Sequence, residues 1–411
     1  MTKFYHTDLW GSREDKDRYL QEHDITTVEW TEIFPKSPLY LFAPQDQDLR
    51  LEYDPGWQIN KIFPINTLGF QSHRDDFAIA YSQEQLQQRL QEFRDTRFSD
   101  EEIRSKYALK DNRDWSLTKA RQRIRQIQDW KRWLIKFFYR PFDLRSCYFS
   151  TIAMDYPRVI FQQHFTEENI FLNVVRQTKA DDWRHAFVAN TPTPALYVEL
   201  KDGSNAFPLY LYPDIANQQS QLFVEKSPNL SSDFITAIRE KLGYVPTPEA
   251  IFYYIYAIFH SPTYRDRYAK FLKSDFPRVP LTSSDHLFKD LGTKGQALVE
   301  LHLMKSKKLN KLITKMGGNG DNAVTEVTYK PTEQRVYING DRYFEGIAPE
   351  VWEFKIGGYQ VLDKWLKDRK KAKRTLSFDD VLHYQKVVVA LKETRQIMQE
   401  IDQLIPGFPI E

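Results

Sequence analysis

The chain has 411 residues, 41% of them hydrophobic, with 58 Lys and Arg set against 56 Asp and Glu for a formal net charge of +2. This is an ordinary globular balance, long enough for two or three domains, and it excludes a histone-like polycation: any nucleic-acid contact must gather its positive charge on one face. A single cysteine, Cys147, excludes a disulfide framework within the chain and any multi-cysteine zinc or iron–sulfur site, and the longest apolar run, Ile251–Phe259, is too short to cross a bilayer.

One cysteine suits a reducing cytoplasm, and Met1–Trp10 lacks the apolar stretch of a signal peptide, so the expectation is a cytoplasmic protein with no membrane association. Aromatic residues reach 15%, which fills thick cores or supplies rings that stack on bases.

In chain order, Lys3–His6 reads as a short strand. Ser12-Arg-Glu-Asp15 has the Ser-then-acid spacing of a capping box and opens a helix through Leu20. Leu39–Phe42 reads as a strand between prolines. Residues 51–70 read as irregular strands with a turn at Asp54-Pro-Gly56, and Ala78–Tyr81 as a further strand. Ser82 and Ser99 each precede a helix, the first with Leu86, Leu90 and Phe93 facing inward. Ser116–Phe137 reads as one long basic helix with an apolar stripe at Leu117, Ile124, Ile127, Leu134 and Ile135.

From Phe138 to Pro213 the pattern changes to short β-prone runs at 147–149, 170–172, 174–175, 187–188, 197–200 and 209–212, separated by long loops. Asn217–Asn229 reads as a linker. Beyond it the chain is mainly helical: Thr247-Pro-Glu249 starts one helix, 281–315 forms another with a basic tail, and 349–367 a third, interrupted at Gly357-Gly358. Ser377-Phe-Asp-Asp380 caps the last. A small meander lies at 324–345, with Asn339-Gly340 as its hairpin signal. The predicted fold class is α+β, with mixed strands and long loops in the first half and a mainly helical second half. Three domains are expected, over residues 1–50, 51–215 and 230–411.

Catalytic motifs are absent. No Gly-rich loop ends in Gly-Lys-Ser/Thr, no dinucleotide fingerprint or Gly-x-Ser-x-Gly elbow occurs, and the histidines lack metal-ligand spacing. No metal site and no catalytic residue is expected. Asn190-Thr-Pro-Thr-Pro194 is the nearest approach to an amino-methyltransferase loop but has the wrong spacing and no ring, and reads as a proline-stiffened loop. A metal-dependent nuclease needs Asp followed by Glu-x-Lys on a strand. Asp182, Glu199 and Lys201 offer this, but Glu-x-Lys recurs at Glu353-Phe-Lys355 and Glu14-Asp-Lys16, the frequency chance supplies. Basic clusters lie at 305–315, at 367–374 and along 116–137. They give Arg121, Arg125, Lys307, Lys308, Lys311, Lys370 and Lys371 as candidate phosphate contacts, the alternative being a solvated charged face.

The runs Tyr139-Arg-Pro-Phe-Asp143, Phe207-Pro-Leu-Tyr-Leu-Tyr-Pro213, Tyr254–Arg265, Arg335-Val-Tyr-Ile-Asn339 and Ile356–Arg369 together resemble the C-terminal target-recognition part of Type ISP restriction-modification enzymes. The opening segment, with Leu9-Trp-Gly-Ser-Arg-Glu-Asp-Lys16, resembles the tail of their methyltransferase region. The resemblance implies a module that reads a short site on double-stranded DNA. It also implies that nuclease, helicase-like ATPase and adenine-N6 methyltransferase functions, with S-adenosylmethionine, reside outside this chain, which holds no cofactor of its own. A separate polypeptide carrying those functions is an expected partner, and a pure protein-docking subunit remains an alternative. Within the module, the loop-rich strands at 140–205 supply candidate base readers: Arg145, Tyr148, Arg158, Gln162, Gln163, Arg176, Gln177, Lys179 and Arg184. Arg grips guanine through O6 and N7, and Gln grips adenine through N6 and N7.

Overall fold

Two strand runs, Phe171–Val174 and Ala186–Ala189, are apolar at every position but Asn173, as suits strands set between two covering layers, and all eight of their residues are buried. In the computed structural model, which describes residues 2–37, 40, 42, 44, 46–165, 168–213 and 225–410, they form the buried half of a four-stranded antiparallel sheet. Its strand order is Thr67–Leu68, Asn205–Pro208, Phe171–Val174, Ala186–Ala189, with Phe171 opposite Ala189 and Val174 opposite Ala186.

The chain divides into two compact units, Met1–Pro55 and Gly56–Glu411. In the first, Phe4–His6 pairs antiparallel with Thr31–Ile33, and Arg13–Glu22 is a helix whose Ser12 and Asp15 complete the expected capping box. The strand expected at 39–42 falls partly outside the described residues, as does most of the linker expected at 217–229.

In the second unit a three-stranded antiparallel sheet, Ile79–Ala80, Asp143–Tyr148 and Leu134–Arg140, is covered by the helices Gln83–Arg94, Asp100–Lys106 and Leu117–Gln126. Leu86, Leu90, Phe93, Ile103, Leu117, Ile124, Phe137 and Cys147 share this core. The long helix expected over 116–137 is not formed. The helix ends at Gln126, a 3-10 turn runs over Trp130–Trp133, and Leu134–Arg140 is a strand. The strand wins because Asp143–Tyr148 folds back beside it, placing Ile135 opposite Cys147. Residues 197–200, expected as a strand, instead form a buried turn that carries Tyr197, Val198 and Glu199 inside.

The helical layer is built on Pro248–His260, Asp285–His302 and Phe378–Leu404. The first two approach so closely that a Cβ on Gly295 would stand 1.8 Å from the Tyr253 carbonyl oxygen. One hydrogen-bond chain ties this layer to the buried sheet. The Val188 N–H donates to the Tyr256 hydroxyl, which donates to His302 Nδ1 at 2.6 Å, and His302 Nε2 donates to Thr394 Oγ1 at 2.9 Å. Burial, with the charge of Arg265, pushes His302 down to about 3, so the ring is neutral and satisfied. The expected meander forms at Thr328–Lys330, Arg335–Tyr337 and Arg342–Glu345, with Lys315–Gly318 added as a fourth strand. The Gly357-Gly358 interruption is a hairpin between Lys355–Ile356 and Tyr359–Gln360, and the helix Val361–Lys371 follows it. The fold is α+β, and no described helix is long and apolar enough to cross a membrane.

Candidate nucleic-acid interface

The alternation of strand Leu134–Arg140 drives Phe137 into the core and leaves Lys136 exposed. Just before it, the 3-10 turn buries Trp130 and presents Arg132 outward, its guanidinium 4.1 Å from the Trp133 ring centroid. The Thr191 Oγ1 accepts the Phe138 N–H at 3.0 Å, which fixes the proline-stiffened loop 190–194 against the same strand. These segments, with the turn Val159–His164, enclose a groove of about 820 Å³.

Three cations line this groove, Arg132, Lys136 and Lys305, and with them Gln83, Gln162, Asn190 and Thr191. Its apolar lining includes Trp133, Phe149 and Phe165. No carboxylate stands among the described lining residues, and none of the three cations makes an ion pair among the described residues. Such a surface offers positive charge to phosphates, amides to base edges and rings to stack upon.

A second cleft, of about 650 Å³, has a different character. Asp75, Asp76 and Asp368 line it together with Arg89, Arg145, Lys371 and Arg374. Beside it lies a buried charge network. Arg145 donates to Asp143 at 2.6 Å and to Asp368 at 3.0 Å, and Arg369 donates to Asp143 at 2.9 Å. Burial would raise the Asp143 carboxyl, but the charges of Arg369 and Arg145 overrule it and hold it below the usual carboxylate range. The network fastens strand Asp143–Tyr148 to helix Val361–Lys371, and its cations are spent inside the protein.

The predicted base readers are scattered by the fold. Tyr148 is wholly buried in the core, its ring 6.0 Å from Trp133, so it cannot meet a base. Arg145 is clamped in the network just described. Arg158 donates to the Gly69 carbonyl at 3.2 Å from a left-handed backbone, φ 53°. Gln162 lines the groove, and Gln163 follows it on the same turn. Arg176, Gln177, Lys179 and Arg184 lie beyond Val174 and before Ala186, at the opposite end of the sheet from Asn190. There Arg176 pairs with Asp275 at 3.0 Å and Arg184 with Asp182 at 2.6 Å, while Gln177 and Lys179 are exposed.

Among the predicted phosphate contacts, Arg121 is a structural staple. It is 1% exposed, pairs with Asp100 at 2.5 Å and donates to the Phe93, Asp95 and Phe98 carbonyls. Arg125 likewise donates to the Arg94 carbonyl at 2.9 Å. Lys308 pairs with Glu393 at 2.6 Å. Lys307, Lys311, Lys370 and Lys371 are exposed, the last beside the carboxylates of the second cleft. The nuclease candidates do not converge on a metal. Glu199 is buried and accepts from the Thr178 hydroxyl at 2.6 Å, with His185 Nε2 at 3.3 Å, while Asp182 is taken by Arg184. The described residues contain no His, Cys, Asp and Glu grouping able to hold a metal ion. Sequence reasoning singled out Gln162 but missed Gln83, Trp133, Asn190 and Thr191. Arg132, Lys136 and Lys305 were visible only as members of basic clusters.

Residues 61–400 match the family model of the Type ISP C-terminal specificity domain. No curated protein matches the chain. Among solved structures, a nuclease-deletion mutant of the Type ISP restriction-modification enzyme LlaGI in complex with a DNA substrate mimic is 18% identical, covering 100% of this chain and 33% of that one, with a TM-score of 0.70. The ATP-dependent Type ISP enzyme LlaBIII bound to DNA is 18% identical over 93% of this chain and 26% of that one, TM-score 0.69. A DrdV–DNA complex is 19% identical over 97% of this chain and 43% of that one, TM-score 0.72. The chain thus spans less than half the length of each, and at these identities the likeness is one of fold.

Proposed function

Because the chain belongs to the Type ISP C-terminal specificity domain family, we propose that it grips duplex DNA and tells one short string of base pairs from another, as the recognition module of an adenine-N6 restriction–modification system. The observation that carries this reading is the groove in which Arg132, Lys136 and Lys305 stand beside Gln83, Gln162 and Asn190 with no carboxylate among the described lining residues. Solved proteins of the same fold are complexes with DNA, which supports it.

In this reading Arg132, Lys136 and Lys305, continued by the exposed Lys307 and Lys311, take phosphates and set the register of the duplex. Gln162 and Asn190 read base edges, each amide matching the N6 and N7 atoms of adenine. Holding the site offsets the few kcal/mol needed to flip a target base toward a methyltransferase. That methyltransferase, its S-adenosylmethionine and the cleavage machinery belong to polypeptide beyond this chain or to a separate subunit, and the setting is the cytoplasm.

Selection of bound duplexes from a random pool tests the proposal directly. A short consensus is expected. Gln162→Ala and Asn190→Ala should then each weaken binding to the consensus by about 1–3 kcal/mol while leaving random duplex nearly unchanged. Recovery of no consensus at moderate ionic strength, even with a matching methyltransferase partner added, would overturn it.

A further inference from the structure

The turn that supplies Gln162 to the groove carries a feature that base reading and phosphate holding leave unused. The 3-10 turn Val159–His164 is anchored from below: Phe161 and His164 are buried, the Tyr212 N–H donates to His164 Nδ1 at 3.0 Å, and Asn169 Nδ2 donates to the His164 carbonyl at 2.9 Å. Above that anchor stand two β-branched side chains, Val159 at 58% exposure and Ile160 at 91%. Side chains three residues apart eclipse in a 3-10 turn, so Val159 shares a row with the groove residue Gln162, and Ile160 with Gln163. The residue that launches the turn, Arg158, holds a left-handed conformation at φ 53° and ψ 53°, a strained state in a residue bearing a Cβ, and one that persists only where the surroundings enforce it. Its guanidinium bond to the Gly69 carbonyl is one such restraint.

Single exposed apolar residues are common on any surface. An adjacent pair on a tethered, strained turn, the same turn that supplies Gln162 to a groove with no carboxylate among its described lining residues, is a more specific arrangement. β-branched side chains are stiff at χ1, so a wedge made from them loses little rotamer freedom when it is gripped. Apolar side chains of this size are inserted between base steps by proteins that partly unstack and bend the duplex.

We propose that Ile160, backed by Val159, is an apolar wedge that enters a base step of the duplex held in the groove, unstacking it locally. This rests on the reading of the groove as a DNA interface. The occupant is DNA rather than a protein surface because the flanking groove residues are cationic and amide-bearing, complementary to a nucleic acid. Unstacking beside Gln162 also exposes the edge that this amide reads, coupling the wedge to discrimination.

The test places 2-aminopurine at successive positions through the selected duplex and follows its fluorescence on binding of the full chain. The wild-type chain should brighten the probe at one step. Ile160→Ala should abolish that signal and weaken binding about tenfold, with an unchanged salt dependence because no charge is lost. Ile160→Phe, a larger wedge, should retain the signal. Ile160 is almost fully exposed, so neither change threatens folding. Ile160→Ala with wild-type affinity and a wild-type probe signal overturns the wedge while leaving the groove reading intact, and points to a protein partner on that turn. Absence of any duplex binding by the wild-type chain sinks the groove reading itself.

Discussion

Replacing Arg132, Lys136 and Lys305 together by glutamine removes the charge of the groove while keeping side chains of moderate length. All three are exposed and none makes an ion pair among the described residues, so the melting temperature should be unchanged. Each cation that neutralises a phosphate contributes about 0.9 to the slope of log affinity against log salt, so the triple variant should lose about 2.7 from that slope. Over a fourfold rise in salt, from about 50 to about 200 mM, each contact accounts for about 3.5-fold in affinity and the three for about 40-fold. Fluorescence anisotropy on a labelled duplex, titrated with salt, reads this directly. The loss should be equal on the selected site and on random duplex, since phosphates carry no sequence information. A paired replacement of Lys370 and Lys371 by glutamine is the control. Lys371 stands beside Asp75, Asp76 and Asp368, whose charge opposes a phosphate there. If the salt slope survives the triple replacement, or falls instead with Lys370 and Lys371, the phosphate track does not run through this groove.

Arg121→Ala should lower stability by about 3 kcal/mol, read as a shift in the urea midpoint, without altering the salt slope, because it strands three backbone carbonyls and Asp100 rather than a phosphate. Gly295→Ala should cost several kcal/mol, since its methyl would collide with the Tyr253 carbonyl and force two packed helices apart; thermal denaturation checks it, and an unshifted midpoint would contradict the close approach. His302 is held neutral down to about 3, whereas an unfolded imidazole titrates near about 6.5, so the folded state binds fewer protons below that value. Its contribution is present in full above about pH 6.5 and falls with acidification, by about 2 kcal/mol at about pH 5. His302→Asn should therefore flatten the dependence of unfolding free energy on pH by about one proton across that window.

Much of the secondary structure was legible because its signals are local. Ser12, Ser99 and Ser377 each accept the N–H three residues on and receive the acid in return, as spacing alone foretold, and Ser82 makes the first of these bonds. The failure at 127–137 is instructive for the same reason. Leu134 and Ile135 fit a helical stripe extrapolated from Ile124, but the strand they form is paid for by pairing with Asp143–Tyr148 through a turn whose left-handed residue is Phe142, φ 62°, where a glycine would have announced it. Tyr197–Leu200 failed in the opposite sense. Its β-prone residues are buried by tertiary contact in a turn, with Gly357 close enough that a Cβ there would stand 1.7 Å from the Val198 carbonyl oxygen.

The groove was not legible, because its lining comes from segments near residues 83, 132–136, 149, 162–165, 190–192 and 305, which no spacing rule connects. What the sequence did state is a constraint: with 58 basic and 56 acidic residues, a DNA-binding face can arise only by segregation. The fold consumes many of its acids on structural cations. Asp143 and Asp368 hold Arg145 and Arg369, Asp100 holds Arg121, Asp155 holds Arg74 and Asp182 holds Arg184. The arginines that looked most suited to DNA in the sequence are largely those the fold has already used. Arg132, Lys136 and Lys305 are ordinary by sequence and distinguished by sharing one groove with no carboxylate among its described lining residues. With a net charge of only +2, the chain keeps the described lining of this groove free of carboxylates while acids are consumed elsewhere, and an acid introduced there, such as Thr191→Glu, should repel duplex DNA more than loss of any one of the buried pairs' arginine charges would.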